Sequence, residues 1–394
     1  MDFTKLKNCL DEILAKSNTP SVDCIVYKNH EKVFRYFAGL SDIESNKAMC
    51  GNELYFIFSM TKMLTCTAAL QLFEQGAFSM DDKLSKFLPE FERMKVTSDE
   101  LDTDAAAKIT TGASLGESST VNKNGYAKNP IKIIDLFTMR AGFDYNLSDD
   151  SIKNALASGK TSTLDLAKAL SHKVLGFEPG TRFRYSLCHD ILGALVEIWS
   201  GKKLGDYMAE NIFEPLGMSS TFFPIANDKE TLSRMATRYT RDENNHLQKL
   251  PAECIFNLSV DYQSGGAGLI SCTEDYAIFL DALSCGGVGK NGYRILSEKT
   301  VNLMKTNYLC GQALEDFNEL RKGYGYGLGV RTHIDKTQSG SLSPIGEFGW
   351  DGAAGAFSMV DTDNKISLTY FQHCHNWDVE IQSKMRNALY SCLT

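Results

Sequence analysis

A strand-like apolar run, Leu54-Tyr55-Phe56-Ile57-Phe58, leads into Ser59-Met60-Thr61-Lys62 and then into a helix-forming stretch that stops at Gly76. That junction constrains the chain more than any other segment. From Met63 through Phe73 there is no Gly or Pro, and Leu64, Ala68, Ala69 and Leu72 recur near the helical period. Gly76 suits the C-terminal cap. A serine in the first turn has its hydroxyl near unpaired backbone N–H groups, and a lysine three positions on shares its face. The spacing lets an ammonium meet a hydroxyl, the pairing that activates a serine nucleophile. The competing reading is a serine N-cap on a core helix, with Lys62 in solvent.

The same pattern recurs at Ser200-Gly201-Lys202-Lys203. There the glycine follows the helical pattern of Ile191, Leu192, Leu195, Val196 and Trp199, so it reads as a C-cap with solvated basic residues beyond it. Gly112-Ala113-Ser114-Leu115-Gly116 matches G-x-S-x-G, which marks an α/β-hydrolase nucleophile only on a strand-to-helix turn. Lys108-Ile109-Thr110-Thr111 is a poor strand, and Glu117-Ser118-Ser119-Thr120 opens no apolar helix. This copy reads as non-catalytic, within a polar surface loop from Asp99 to Asn129.

Two further segments join Ser59 and Lys62. Glu178-Pro179-Gly180-Thr181-Arg182-Phe183-Arg184-Tyr185-Ser186-Leu187 is a turn and a short extended stretch, with Tyr185 just before the helix that ends at Trp199. Phe348-Gly349-Trp350-Asp351-Gly352-Ala353-Ala354-Gly355 is flanked by strand-like Ala356 to Val360 and Ile366 to Phe371. In order, spacing and context the three resemble the serine β-lactamase and penicillin-binding-protein superfamily, in its class C-like branch, closest to the family VIII carboxylesterases. Asp135 to Phe143, Phe213 to Met218, Ser264 to Leu269 and Tyr324 to Gly329 echo the same branch, so the resemblance covers nearly the whole chain.

The resemblance implies an α+β fold, an antiparallel β-sheet flanked by helices with an inserted mostly helical domain. Residues 1–80 and 251–394 would form the discontinuous sheet domain and 81–250 the helical one, with the active site in the cleft between them. It also implies Ser59 as nucleophile, Lys62 and Tyr185 as its proton-transfer partners, and the backbone N–H groups of Ser59 and Ala353 as the oxyanion hole. Trp350, Asp351 and Gly352 would line the substrate pocket, the glycine leaving space for substrate along the strand edge. Lys62 starts from a pKa of about 10.4 and serves as a base only if burial or a neighbouring cation lowers it. Beside an ammonium, Tyr185 could instead act as phenolate, and the sequence leaves that choice open.

Two departures from the β-lactamase pattern bear on substrate. Tyr185-Ser186-Leu187 stands where Tyr-x-Asn is usual, and Trp350-Asp351-Gly352 where Lys-Thr-Gly is usual, so an amide and a cation are missing. Both changes disfavour anionic β-lactams and favour neutral, partly apolar acyl groups. If a cation were supplied from elsewhere, Arg331 and His373 would be the first candidates. The reading is a cytoplasmic serine hydrolase that cleaves small carboxylic esters through an acyl-enzyme on Ser59. Alternatives are a β-lactamase or D-alanyl-D-alanine carboxypeptidase, an acyltransferase, and a non-catalytic scaffold of the same fold.

Composition narrows the partners. With 394 residues, 43% hydrophobic and 23% charged, the chain can bury a large core. Its net charge of −8 offers no general attraction to nucleic acid or anionic membrane. No run approaches the roughly 20 apolar residues of a membrane span. Met1 to Leu14 reads as an amphipathic helix rather than a signal peptide. Its 11 cysteines include no C-x-x-C pair, and their odd number fits reduced thiols and the cytoplasm. His373-Cys374-His375 lacks the further ligands a zinc site needs, and no phosphate-binding glycine motif occurs, so neither metal nor cofactor is expected. Cys24 to Tyr27 and Lys32 to Phe37 read as a hairpin, with helices dominating from Asp81 to Leu250 and later strands only after about Asp261.

Overall fold

A computed structural model describes residues 1–97, 125–224, 228–376 and 378–393. The Gly112 to Gly116 motif and most of the loop from Asp99 to Asn129 lie outside the described residues. The centre of the architecture is an eight-stranded sheet. Its strands run in the order Tyr324–Tyr326, Arg331–His333, Phe348–Gly349, Phe357–Asp361, Ile366–Phe371, Ser21–Lys28, Glu31–Asp42 and Lys47–Ala48. Every neighbouring pair is antiparallel.

The hairpin read from the sequence is present. Lys28 pairs with Glu31, and Asn29 and His30 between them hold φ of 49° and 68°. Two left-handed residues in a two-residue loop match the twist of the flanking strands. Helices cover both sheet faces. Val22, Cys24 and Val26 pack against Leu6 and Leu10 of the helix Thr4–Lys16 and Met385 and Leu389 of the helix Glu380–Tyr390. Ile25 and Tyr27 point the other way, onto Ala277 of the helix Thr273–Ser284. With both faces covered, seven of the eight residues of Ser21–Lys28 are buried, which hides the usual alternation.

The helix after Ser59, Thr61–Glu74, packs with Cys188–Ser200 in the largest core cluster. The sequence pattern suggested one apolar stripe, whereas every residue from Thr61 to Leu72 is buried. Two of its polar members donate within the core: Thr65 to the Gly265 carbonyl at 2.7 Å, and Gln71 to the Ile295 carbonyl at 3.0 Å. Gly76 follows at φ 79° with its N–H on the Phe73 carbonyl, as a C-terminal cap requires.

The expectation that strands return only after about Asp261 does not hold. Lys95–Val96 pairs with Gly125–Tyr126 and Val174–Leu175, and Tyr239–Arg241 pairs with Leu247–Lys249 and with Cys374–His375. Each is two or three residues long, too short to show a period in sequence.

Candidate active site

Tyr55–Phe56 pairs with Ile270–Ser271, which fixes the approach to Ser59. The chain then bends at Phe58, a non-glycine residue at φ 46° whose ring is 1% exposed. A bulky residue in the left-handed region is strained and persists only where packing overrides it. The bend sets Ser59 in a short turn, Phe58–Met60, ahead of Thr61–Glu74. Met60 rather than Ser59 occupies the N-cap, so the capping reading of this serine fails.

Lys62 is fully buried, and its Nζ lies 3.3 Å from Ser59 Oγ. The same nitrogen donates to Tyr145 Oη at 3.1 Å and to the Gly266 carbonyl at 2.7 Å. Burial lowers its pKa to about 7, against the opposing pull of Asp190, Cys66 and Cys188. Tyr185 joins from the segment before Cys188–Ser200: Lys62 Nζ stands 4.6 Å from its ring centre, and Tyr145 stacks on it at 5.5 Å. Burial pushes both phenols up, Tyr145 well above the usual tyrosine range, while contact with the Ser59 hydroxyl pulls the other way. Of the two bases the sequence left open, the lysine is the one brought near neutrality.

The third motif closes the site from the sheet side. Trp350 donates its indole N–H to Tyr185 Oη at 3.0 Å and stacks on that ring. Gly352 and Ala353 line the same cavity as Ser59. No hydrogen bond among the described residues engages the backbone N–H of Ser59 or Ala353. The reason for a glycine at 352 differs from the one expected. A Cβ there would sit 2.7 Å from the Ile57 carbonyl oxygen, so the missing side chain lets the motif dock against the turn that carries Ser59.

Asp351 is also changed by its surroundings. Its carboxylate lies 2.9 Å from Arg331 and 3.0 Å from Arg321. Burial alone would raise its pKa, but the two guanidiniums hold it below the ordinary value. It is therefore a neutralised anchor, not a free charge facing substrate. Neither spare cation named from the sequence is available: Arg331 is spent on Glu347, Asp351 and the Ser358 carbonyl, and burial lowers His373 to about 3. Leu187, standing where an asparagine is usual, is 2% exposed in the core.

Two residues escaped the sequence reading. Tyr145 lies three positions beyond Gly142, the turn that ends the Asp135 to Phe143 signature. Asp190 lies in the first turn of Cys188–Ser200. Its Oδ1 accepts from Tyr262 Oη at 2.7 Å and Ser264 Oγ at 2.6 Å, steadying the loop whose Gly266 carbonyl holds Lys62. The glycines there are obligatory for close approach, since a Cβ at Gly265 would meet the His189 carbonyl at 2.4 Å.

The cavity measures about 580 Å³ and is walled mainly by apolar and aromatic side chains, among them Leu147, Phe183, Phe256 and Phe317. Outside it, His30, Asp281 and Cys285 place ligand-type atoms within 4.8 Å of one another. There both carboxylate oxygens of Asp281 already hold His30, through its N–H and its ring.

Residues 6–389 match the family model described as Beta-lactamase. The chain belongs to the beta-lactamase family. An uncharacterized protein of Mycobacterium tuberculosis (strain CDC 1551 / Oshkosh) is 30% identical over 353 residues, covering 87% of this chain and 83% of the relative. Among solved structures, EstCE1, a hydrolase with promiscuous acyltransferase activity, aligns with a TM-score of 0.77 and 22% identity over 98% of this chain and 97% of its own. Simvastatin synthase LovD from Aspergillus terreus aligns with a TM-score of 0.78 and 19% identity over 100% of this chain and 99% of its own. At such identities these two show the fold alone, the β-lactamase/transpeptidase-like arrangement. All 11 cysteines of this beta-lactamase family protein are free, and among the described residues no helix is long and apolar enough to cross a membrane.

Proposed function

We propose that this protein hydrolyses small carboxylic esters through an acyl-enzyme on Ser59. The observation that carries the reading is Lys62, a buried amine brought to about 7 and set 3.3 Å from the Ser59 hydroxyl. Neutral Lys62 takes the serine proton as Oγ attacks the ester carbonyl. The oxygen of that carbonyl becomes an oxyanion between the N–H groups of Ser59 and Ala353. Collapse breaks the bond to the alcohol, which leaves with the proton returned by Lys62 through the Tyr185 phenol. A water gives its proton to the same relay and attacks the acyl carbon; the bond to Oγ then breaks, Ser59 takes the proton back, and the acid leaves. Trp350 holds the Tyr185 oxygen in line, and Tyr145 shares the Lys62 proton from the other side.

The apolar cavity and the indole at position 350 support esters over β-lactams. With Asp351 held by Arg321 and Arg331, the missing cation and the missing amide are the discriminating losses. A lost charge-assisted contact typically costs about 1.5–3 kcal/mol, which is roughly ten- to a hundredfold in rate. The expected result is a kcat/KM for p-nitrophenyl butyrate at least about a hundredfold above that for nitrocefin. Equal or faster nitrocefin turnover would overturn the substrate assignment. Acyl transfer is the second reading, because EstCE1 is described as having acyltransferase activity. Adding an alcohol acceptor during turnover, and measuring ester formed against acid released, separates the two.

A further inference from the structure

The cavity around Ser59 has a second wall that the ester reaction above leaves unused. Tyr239–Arg241 runs parallel to Cys374–His375, with Thr240 opposite His375, and Arg238, Thr240 and His375 all face the cavity. Arg238 is 8% exposed. Its Nη2 donates to the Pro251 and Glu253 carbonyls, both at 2.7 Å, and its guanidinium carbon lies 5.6 and 5.8 Å from the ring centres of Phe56 and Phe58. The Cys254 thiol is also in contact. Its Nε has no partner among the described residues, and neither does His375 Nε2.

The contrast with the other buried arginines is one of charge. Arg331 pairs with Glu347 and Asp351, and Arg386 with Glu347. Arg238 meets no carboxylate at ion-pair distance among the described residues. Burial lowers its pKa, yet a guanidinium stays charged at any physiological pH. Burial with Arg238 nearby brings His375 to about 4, so its ring is neutral and able to donate from one nitrogen. Glu253, which lines the same cavity, acts on Arg238 only from beyond ion-pair distance, and a buried cation balanced so weakly is costly. An arriving anion would offset that cost.

We propose that this wall is an anion subsite: the ester attacked at Ser59 carries a carboxylate that seats on Arg238, beside His375. The proposal rests on the esterase reading and narrows it to carboxylate-bearing esters, such as half-esters of dicarboxylic acids. An aliphatic spacer would cross the apolar middle of the cavity. Carboxylate recognition would thus have moved from the third-motif side chains to the neighbouring strand pair, whose Cys374 N–H bonds to the Ala354 carbonyl at 2.9 Å.

The test compares p-nitrophenyl hydrogen adipate with its methyl ester, which keeps the length and removes the charge. The wild-type protein should favour the acid by about tenfold or more in kcat/KM, a preference that falls as salt is added. In Arg238→Gln the ratio should collapse to about one, and Arg238→Lys should keep part of it. Equal or faster turnover of the methyl ester by the wild type, or an undiminished preference in Arg238→Gln, would overturn the subsite. Equal ratios would mean that the carbonyls and phenyl rings alone satisfy the guanidinium. If Arg238→Gln does not fold, the wild-type ratio and its salt dependence decide. Calorimetry of monomethyl adipate on Ser59→Ala, with and without Arg238→Lys, separates the two readings. Arg238-dependent binding with no ester turnover in the wild type sinks the esterase reading and keeps the subsite. Butyrate turnover without adipate binding does the reverse.

Discussion

Ser59 to Lys62 and Ser200 to Lys203 carry the same residues at the same spacing, yet the fold puts them to opposite uses. Lys62 is fully buried at the start of a helix and touches a hydroxyl, a phenol and a carbonyl. Lys203 is exposed beyond the end of one, after Gly201 at φ 71°, and the Ser200 hydroxyl is turned back onto the Val196 carbonyl at 2.6 Å. Backbone direction and desolvation make the difference. At a helix start the strained bend at Phe58 throws the serine outward and the lysine inward. At a helix end the same spacing meets water.

The comparison breaks most directly if the two serines prove alike. Ser59→Ala should lower p-nitrophenyl butyrate hydrolysis by about a thousandfold or more, while Ser200→Ala stays within about twofold of wild type. Lys62→Met should cost about a hundred- to ten-thousandfold in kcat and Lys203→Met almost nothing. Tyr185→Phe combined with Lys62→Met should cost far less than the product of the single losses, as expected of one proton relay. Full multiplicativity would mean that the two act separately.

Titration sharpens the same contrast. Because burial lowers Lys62 to about 7, its ammonium is favoured below that pH and its free amine above it. With the amine as the proposed base, kcat/KM should rise with pH through a limb near 7, unaffected by Lys203→Met. A flat profile from pH 5 to 9 would contradict a lysine base. The smallest effect expected is at Trp350. Removing its N–H with Phe leaves the ring stack but frees Tyr185, which should cost about tenfold in kcat with little change in KM.

What could be read from the sequence was what is local. The Ser59 junction, Tyr185 ahead of its helix and the Trp350 turn are contiguous segments with a clear helix or strand beside each. Contacts between distant segments were not legible: Tyr145 and the Gly266 carbonyl reach Lys62 from 83 and 204 residues away. The same limit explains Asp351, whose neighbours in sequence gave no sign of Arg321 and Arg331 folding onto it. Gly352 looked like room for substrate because nothing nearby announces that the Ile57 carbonyl would press against it. Arg238 sits in a segment of two- and three-residue strands, where no periodicity shows which side chains turn inward.

The central claim is that Ser59, activated by Lys62, is the acylated residue. Treating the protein with a fluorophosphonate and locating the adduct by peptide mass spectrometry tests it in one step. The account expects a single adduct on Ser59, strongly slowed in Lys62→Met and unchanged in Lys203→Met. An adduct on Ser114 or Ser200, or labelling of Ser59 at the same rate without Lys62, would contradict it.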